Sequence, residues 1–375
     1  MERFAMDVSQ IPGFNHSSGD HQFRFPFFAP VIATALIFLL SPSLVAQQTA
    51  KVPVDNNVIH LDVVVTPRSG PPVRGLEEKD FTVLDNKVPV KITSFQALRG
   101  RDAPVKILIV IDDVNTGFRR IAYERQEIGK VLNLDSGNLR HPTALAVFTD
   151  SGTQIQDEFT QDGKVLGTTL DQYTIGIHTI PRSGGVYAAQ ERYQLSIAAL
   201  QQIAERELTL PGRKIVLWIS PGWPLLSGAS NYSTSKQEQE VFDAITTLST
   251  LLRQARITLY SIDPLGTDDF NRAFNWKAYL KPVSSPYQAE YGNLALQVLA
   301  VQSGGLVLTN RNDLAEMLRL CLADIQSYYE MSCSVPNSGK KDAYHHLEVR
   351  VAKPDVTART REGYYSPVGT DGKNH

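Results

Sequence analysis

The chain has little cysteine and little net charge. Only two of its 375 residues are cysteines, Cys321 and Cys333, too few for a disulfide-rich scaffold or a cysteine metal cluster. Whether these two pair or remain buried free thiols stays open at this stage. The formal net charge is −2, so charge gives no reason to expect nucleic acid or an anionic membrane surface as a partner.

The common catalytic motifs are also missing. There is no Gly-x-Ser-x-Gly elbow, no His-Glu-x-x-His and no glycine-rich phosphate loop ending in Lys-Ser or Lys-Thr. His345 and His346 are adjacent at the start of a predicted strand and would point to opposite faces, so we interpret them as surface residues. We therefore expect a protein that is not an enzyme.

The first 46 residues are typical of a targeting signal. Phe27–Leu40 is an apolar stretch of 14 residues, shorter than the roughly 20 needed to span a bilayer but suited to a signal peptide. We predict cleavage after Ala46 and secretion to the periplasm or medium, with an uncleaved membrane anchor as the alternative. Loss of residues 1–46 removes two basic and three acidic residues and changes the net charge from −2 to −1.

Five apolar segments each end in polar or turn residues. The first, Lys106–Ile111, leads into Asp112, and its unbroken apolar run is typical of a strand covered on both faces. The others are Thr143–Phe148, Ile215–Ile219, Ile257–Ile262 and Gly305–Leu308. Helical patterns separate or follow them at Tyr123–Leu134, Ala188–Glu207, Lys236–Ala255, Asn293–Gln302 and Asp313–Ser327. This alternation predicts a doubly wound, mostly parallel α/β sheet over residues 104–327, with Gln154–Phe159 as an antiparallel edge strand.

Short strand-like segments lie on both sides of the α/β region. Within residues 56–98 they are Val58–Thr66 and a hairpin of Phe81–Leu84 with Val88–Phe95. Within residues 328–366 they are Tyr328–Val335, Leu347–Val351 and Val356–Tyr365. Neither set is enough for a stable sheet by itself. We therefore predict that the two sets form one small β-sandwich, with the α/β domain inserted between its halves.

Several of these segments resemble a known family. The strands that lead to Asp112, Gly222 and Asp263 look like those of a von Willebrand factor type A domain. Val73–Lys87 and Thr360–Tyr365 resemble segments of the bacterial VWFA-related secreted proteins, best known from acidobacteria. The resemblance covers residues 56–366 and implies a Rossmann-like, doubly wound fold. It also implies binding of protein ligands with the help of a divalent cation.

The implied metal site departs from the parent pattern. That pattern has Asp-x-Ser-x-Ser after the first strand, a threonine in a second loop and an aspartate after the fourth strand. Here Asp112, Thr116 and Ser220 occupy the candidate metal positions. Val114 replaces the first serine, and Val186 stands where the loop threonine is expected. Because Mg²⁺ and Mn²⁺ require about six oxygen ligands, we predict a degenerate site that binds either ion weakly or not at all.

Candidate partner-binding residues lie in the same loops and in a long aromatic segment. They are Asp113, Asn115, Trp223 and Trp276. The segment Asp268–Tyr291 is rich in aromatic side chains, which are favoured interface anchors; the alternative is that these rings cover the adjacent helix. We expect an adhesion-type module with a protein ligand of unknown identity.

Two other functions stay open as alternatives. Four aspartates, Asp112, Asp113, Asp150 and Asp263, are expected at the carboxyl edge of the sheet, where ligands bind in open α/β folds. They would suit a carboxylate-based hydrolase. Alternatively, the β-sandwich makes the main contact in a cell-envelope assembly, with Val58–Thr66 or Val356–Tyr365 pairing edge to edge with another chain.

Overall fold

A computed structural model of the chain describes residues 58–100, 103–173, 180, 184–224, 234–264, 275–309, 313–335 and 340–366. The predicted signal peptide and residues 268–274 of the aromatic segment lie outside these ranges. All described residues belong to one compact unit, Val54–His375. Within the described residues, no helix combines the length and apolar character needed to cross a membrane.

The described chain has β structure towards both ends and α/β structure between them. In chain order the strands are β1 (Val58–Pro67), β2 (Phe81–Asp85), β3 (Val88–Val90), β4 (Ile92–Arg99), β5 (Val105–Asp112), β6 (Asn138–Thr149), β7 (Gly152–Ile155), β8 (Thr160–Asp162), β9 (Arg213–Ile219), β10 (Ile257–Asp263), β11 (Val307–Thr309), β12 (Ser327–Ser334), β13 (Tyr344–Val351), β14 (Val356–Arg359) and β15 (Gly363–Tyr365). The α-helices are α1 (Phe118–Leu132), α2 (Gly163–Gln172), α3 (Gly185–Leu208), α4 (Ser235–Gln254), α5 (Leu296–Gln302) and α6 (Leu314–Gln326).

The strands β5 to β11 form one mostly parallel sheet. Its order is β11-β10-β9-β5-β6-β7, with β8 also paired to β6. The five strands from β11 to β6 run parallel, and β7 and β8 run antiparallel to β6. The predicted α/β fold is therefore confirmed. The antiparallel edge strand predicted at Gln154–Phe159 begins earlier, at Gly152, because the turn directly after Thr149 already reverses the chain.

Alternate residues of the central strands pack against two separate layers of helices. In β5, Leu108 and Val110 share a core with α3, α4 and α5. Ile107 and Ile109 share another core with α1, α2 and α6. Because both faces of the sheet are covered, the central strands read as continuous apolar runs. The helix α2 was not predicted from the sequence.

Strands from the two ends of the chain form two four-stranded sheets. One sheet has the order β14-β1-β12-β4, and the other has the order β15-β13-β2-β3. Leu61 and Val63 of the first sheet share a core with Phe81 and Val83 of the second. Each sheet combines strands from before and after the α/β region. This arrangement confirms the predicted β-sandwich with an inserted α/β layer.

Two segments that we predicted as single strands divide between the sheets. Val88–Phe95 separates into β3 and β4, and Val356–Tyr365 separates into β14 and β15. As a consequence, β1 lies between β14 and β12. Val58–Val63 of β1 pairs with β12 and Val64–Pro67 pairs with β14, so each side of this strand is paired along only part of its length. Edge-to-edge pairing through Val58–Thr66 stays a prediction. The strand β14 is an edge strand of its sheet.

The two cysteines are buried free thiols in different cores. Cys321 lies on α6 among the residues between that helix and the parallel sheet. Cys333 lies on β12 inside the sandwich. Burial raises the pKa of Cys321 well above its usual value and that of Cys333 to about 11. Both thiols are therefore protonated and unreactive near neutral pH.

A polar junction connects the sandwich to the α/β layer. Arg256, just after α4, donates hydrogen bonds to Asp62 of β1 over 2.5 Å and to Glu330 of β12 over 2.7 Å. Arg359 of β14 donates to Asp324 of α6. These side chains are largely removed from water. Loss of one partner would leave an uncompensated charge, which makes the junction sensitive to substitution.

Candidate functional site

The predicted metal positions lie where the parallel strands end. Asp112 is the last residue of β5, and Ser220 directly follows β9. The backbone N of Ser220 donates to a carbonyl of β10 over 2.9 Å, and that of Asp113 donates to a carbonyl of β6 over 2.8 Å. The loops that follow neighbouring strands therefore begin side by side at this edge of the sheet. Asp112, Thr116 and Ser220 are each 0 % exposed, which places all three inside this edge.

The carboxylate of Asp112 receives N–H donors on both oxygens. Asn115 donates to Oδ1 from its backbone N over 2.9 Å, and its side-chain Nδ2 lies 3.1 Å from Oδ1 and 2.9 Å from Oδ2. The indole Nε1 of Trp218 donates to Oδ2 over 3.0 Å. Burial raises the pKa of Asp112, and these hydrogen bonds oppose the rise. Asn115 Nδ2 also donates to Ser196 Oγ of α3 over 2.9 Å, which ties the loop to that helix.

This arrangement offers a divalent cation fewer oxygen ligands than the parent pattern. Mg²⁺ requires about six oxygen ligands in a near-octahedral array, whereas both oxygens of Asp112 already accept from N–H groups. Val114 packs in the same core as α3 and supplies no oxygen. Val186 is an apolar residue in the first turn of α3. Across the described ranges, no cluster of three or more His, Cys, Asp or Glu side chains is arranged to hold a metal ion.

A buried arginine brings positive charge to the same edge. Arg120, in the first turn of α1, has Nη1 3.4 Å from Oδ1 of Asp263, the last residue of β10. Glu124, one turn further along α1, is 0 % exposed, and neither of its oxygens has a hydrogen-bond partner among the described residues. Burial raises the pKa of Glu124 well above its usual value, although the charge of Arg120 opposes the rise. We did not identify either residue from the sequence.

Most of the predicted partner-binding residues are buried. Asp113, Asn115 and Trp223 are 3 %, 7 % and 2 % exposed. Trp223 packs edge-on against Trp218, with 5.3 Å between the ring centroids. Trp223 therefore packs in the core of this structure, and its role in partner binding stays a prediction. Trp276 begins a short 3₁₀ helix and is half-buried, so part of its ring stays accessible.

The four aspartates considered for a hydrolase have different surroundings. Asp112 is bound by the network described above. Asp150 accepts a hydrogen bond from the backbone N of Ile180 over 2.9 Å. Asp263 lies next to Arg120. All four residues lie at the predicted edge of the sheet, but the side chains of Asp112, Asp150 and Asp263 have different partners.

His345 is buried in the sandwich, so the surface position predicted for it is wrong. Its Nδ1 lies 2.9 Å from Oδ1 of Asp85, and its ring stacks on Tyr364 with 4.7 Å between centroids. The hydroxyl of Tyr364 donates to Oδ2 of Asp85 over 2.9 Å. His346, the next residue, is exposed. Because side chains alternate along a strand, the two histidines point to opposite faces, as expected. The face that carries His345 is covered by the other sheet of the sandwich.

Three exposed apolar side chains lie in the first turns of α1 and α3. Phe118 begins α1 and is 64 % exposed, and Val186 and Tyr187 in the first turn of α3 are 56 % and 87 % exposed. The helices α1 and α3 cover opposite faces of the sheet. Both begin at its carboxyl edge, because α1 follows β5 and α3 leads back to the start of β9. We call these three side chains the apolar rim.

Comparisons with known proteins give distant likenesses to solved structures. No family model and no curated protein sequence matches the chain. The chain is similar to proximal thread matrix protein 1 from the mussel byssus, with 12 % identity and a TM-score of 0.36 over 70 % of this chain and 50 % of that one. It is similar to the human COPII-coat protein Sec24c, with 9 % identity and a TM-score of 0.32 over 72 % of this chain and 44 % of that one.

A third similar structure is the SpRpn10 VWA domain, with 10 % identity and a TM-score of 0.30 over 60 % of this chain and 97 % of that one. This chain spans half or less of the mussel and human proteins. Scores this low carry no argument about function. The description of the fold rests on the order and direction of the strands themselves.

Proposed function

We propose that this protein is a non-enzymatic, protein-binding module of the von Willebrand factor A type. The sheet offers its carboxyl edge, where ligands bind in open α/β folds. At that edge Asp112 is enclosed by N–H donors, and Asp263 lies beside Arg120. Carboxylates engaged in this way support a structural role better than a role in acid–base chemistry.

The apolar rim is the observation that carries this proposal. Large aromatic side chains are favoured as interface anchors, because they bury much apolar area when a partner covers them. Phe118 and Tyr187 lie at the start of helices on the two faces of the sheet, so they flank its carboxyl edge. We propose that a protein partner packs across this edge and covers both rings.

We further propose that binding at this edge needs no divalent cation. A cation in a parent-type site balances the carboxylates after the strands and attracts an acidic group of the partner. Here the guanidinium of Arg120 balances Asp263, and N–H groups hold Asp112. The local need for an external positive charge is therefore reduced.

Photocrosslinking tests the proposed surface. A photoreactive phenylalanine analogue is placed at Phe118 or Tyr187 and, as a matched control, at Leu208. Leu208 is 44 % exposed but ends α3, at the opposite edge of the sheet. With exported proteins of the source organism, we expect the same covalent partner from positions 118 and 187 and none from position 208. Equal adducts at all three positions, or adducts only at position 208, would contradict the proposed surface.

Calorimetric titration with Mg²⁺ and Mn²⁺ tests the proposed metal independence. We expect no saturable binding to the wild-type chain. Saturable binding that is lost in Asp112→Asn would show that a remodelled metal site is active. That result would overturn metal independence but would leave the crosslinking test of the apolar rim unaffected.

We also propose that the protein is exported through its N-terminal segment. The support is the apolar stretch Phe27–Leu40 followed by small residues up to Ala46. Expression in a bacterial host with an intact secretion system, followed by N-terminal sequencing of the product, tests this proposal. A product that begins at residue 47 outside the cytoplasm supports cleavage. A full-length product in the membrane fraction supports the anchored alternative, and a full-length cytoplasmic product would contradict export.

A further inference from the structure

The strand β4 is a long free edge of the sandwich. It ends the sheet β14-β1-β12-β4 and pairs on one side, with β12. It has eight residues, whereas the other strands that end a described sheet, β3, β7, β11, β14 and β15, have three or four each. An edge strand directs the N–H and C=O groups of alternate residues away from its sheet. Within the described residues, β4 therefore presents the longest such row.

The usual protections of an edge strand are weak in β4. Its first seven residues, Ile92–Leu98, include no proline and no charged side chain, although both commonly protect edges. The register with β12 shifts once, between Ser332 and Cys333, and a bulge of this kind also protects an edge. Beyond that shift, Ser94–Arg99 pairs residue by residue with Ser327–Ser332. The bulge therefore protects the start of the strand and leaves the rest of the edge regular.

The strand is held firmly on both of its faces. Phe95 lies in the sandwich core, with its ring centroid 5.5 Å from that of Phe81 and 5.8 Å from that of Tyr329. Leu98 packs in the core between the parallel sheet and α6. The side chains between and before these anchors are exposed; they are Thr93, Ser94, Gln96 and Ala97. The edge is thus preformed, and a partner that adds to it does not have to order it.

A groove of about 490 Å³ lies beside this edge, where β3 stops. The strand β3 pairs with Val83–Asp85 of β2 and leaves Phe81 without a strand partner on that side among the described residues. Phe81 lies against Phe95 of β4, and a single residue, Lys91, joins β3 to β4. The open position beside Phe81 therefore adjoins the free edge of β4. Its apolar lining is Phe81, Val83, Val90 and Ile92.

Both ends of β4 carry a cation without a counter-charge. Lys91 directly precedes the strand and Arg99 ends it, and both side chains are exposed. Within the described residues, neither side chain takes part in an ion pair or hydrogen bond. At about 3.3 Å per residue, the two positions are roughly 25 Å apart. The groove also contains Lys79 and Glu78, whose charges cancel in sum, so the edge as a whole is positive.

We propose that β4 binds an extended peptide segment of another protein, which adds to the sheet as a further strand and carries acidic side chains at both ends. Main-chain hydrogen bonds to the free edge would supply affinity, and alternate side chains would enter the groove. Carboxylates near Lys91 and Arg99 would fix the position of the segment along the edge. A second copy of this chain suits the edge less well, because its own β4 brings the same two cations. The site is on the sandwich and does not depend on the apolar rim.

Fluorescence anisotropy with three synthetic nine-residue peptides tests this proposal. The first has a core of alternating valine and threonine with glutamates at both ends. The second has lysines in place of the glutamates, and the third is the first peptide with N-methyl groups throughout its core. We expect saturable binding of the first peptide to the purified full chain. The other two should bind about tenfold more weakly or worse, because one loses its charge pairs and the other its main-chain donors.

Charge reversal tests whether the peptide lies on β4. In the double variant Lys91→Glu with Arg99→Glu, we expect the order to reverse, so that the lysine-ended peptide binds more tightly than the glutamate-ended one. Lys236→Glu is the control, because Lys236 is exposed on α4 of the α/β layer, and it should keep the wild-type order. All three substitutions are at exposed positions, and circular dichroism checks that the variants are folded.

Hydrogen exchange measured by mass spectrometry gives the location independently. In the wild type, the bound glutamate-ended peptide should slow exchange in β4 and leave β14, at the other edge of the same sheet, unchanged. The outward N–H groups of β4 gain partners in the complex, whereas those of β14 do not.

Several results would overturn the proposal. They are no saturable binding of the glutamate-ended peptide, equal binding of all three peptides, or binding that neither responds to the double variant nor slows exchange in β4. Analytical ultracentrifugation addresses the second copy as occupant. A dimer of the wild type that the double variant abolishes would assign the edge to another copy of this chain and overturn the acidic segment. None of these outcomes alters the crosslinking test of the apolar rim.

Discussion

Trp218 of β9 donates its indole N–H to the carboxylate of Asp112 on the neighbouring strand β5, over 3.0 Å. Both side chains are 0 % exposed. We expect Trp218→Phe to lower the free energy of unfolding by about 1–3 kcal/mol through this lost bond, because a buried carboxylate then loses a donor. Urea denaturation followed by circular dichroism measures the change.

Trp223→Phe is the matched control for that substitution. Trp223 is also buried, at 2 % exposed, but its Nε1 has no hydrogen-bond partner among the described residues. Both substitutions remove the same atoms, so packing losses are similar and the difference between them reports the bond to Asp112. Equal losses in the two variants would show that this bond contributes little.

Glu124 makes stability depend on pH. Its pKa is raised well above the ordinary value of 4.5 in the folded chain, so the folded chain keeps this proton when the unfolded chain has lost it. Stability from this group is therefore present below pH 4.5 and is lost as pH rises towards the raised pKa. We expect Glu124→Gln to be more stable than the wild type at pH 8, with the advantage vanishing near pH 4.

Thermal unfolding at several pH values measures this effect. Glu127→Gln is the control, because Glu127 lies on the same helix but pairs with the partly exposed Lys130. Its effect should be small at every pH. A difference between Glu124→Gln and the wild type that does not change with pH would contradict a protonated Glu124.

Arg256 holds the sandwich and the α/β layer together. In Arg256→Met the carboxylates of Asp62 and Glu330 lose their shared partner while remaining largely buried. We expect the free energy of unfolding to fall by roughly 3 kcal/mol. Arg319→Met is the control, since its pair with Glu316 is exposed and should change stability by less than about 1 kcal/mol. Equal effects in urea denaturation would argue against the junction as a stabilising contact.

Gly305 allows the chain two residues before β11 to lie close to β10. A Cβ at this position would lie 1.7 Å from the carbonyl oxygen of Leu259. We expect Gly305→Ala to lower the melting temperature strongly, because overpacking alone costs about 1–3 kcal/mol or more. Gly129→Ala is the opposite case. A Cβ on Gly129, inside α1, meets nothing within 4 Å, so this variant should gain roughly 0.5–1 kcal/mol.

The parallel strands were predictable because burial on both faces leaves a continuous apolar run. The helix α2 was not predictable, because Leu166 and Leu170 are its only buried apolar side chains. A local signal for it does exist. Asp162 caps the helix by accepting hydrogen bonds from the backbone N of Lys164 and of Val165, and aspartate is a favoured residue at that position.

The ends of the predicted strands indicated where the site residues lie in the fold. No sequence pattern indicated which side chains contact them. The bond from Trp218 to Asp112 joins residues far apart in the chain, and no local pattern predicts it. Glu124 could have been found, since it lies three residues after Ile121 and four before Ile128, on the buried stripe of α1. We overlooked it because glutamate in a helix is usually solvated.

The mixed origin of the two sandwich sheets has a consequence for how the chain folds. Synthesis completes β1 to β4 long before it reaches β12, the strand that pairs with both β1 and β4. The α/β layer between them can form from more local contacts, whereas closing the sandwich requires pairing across the whole chain. Such distant pairing is slow and leaves apolar strands exposed meanwhile. We expect closure of the sandwich to be the late, aggregation-sensitive step of folding.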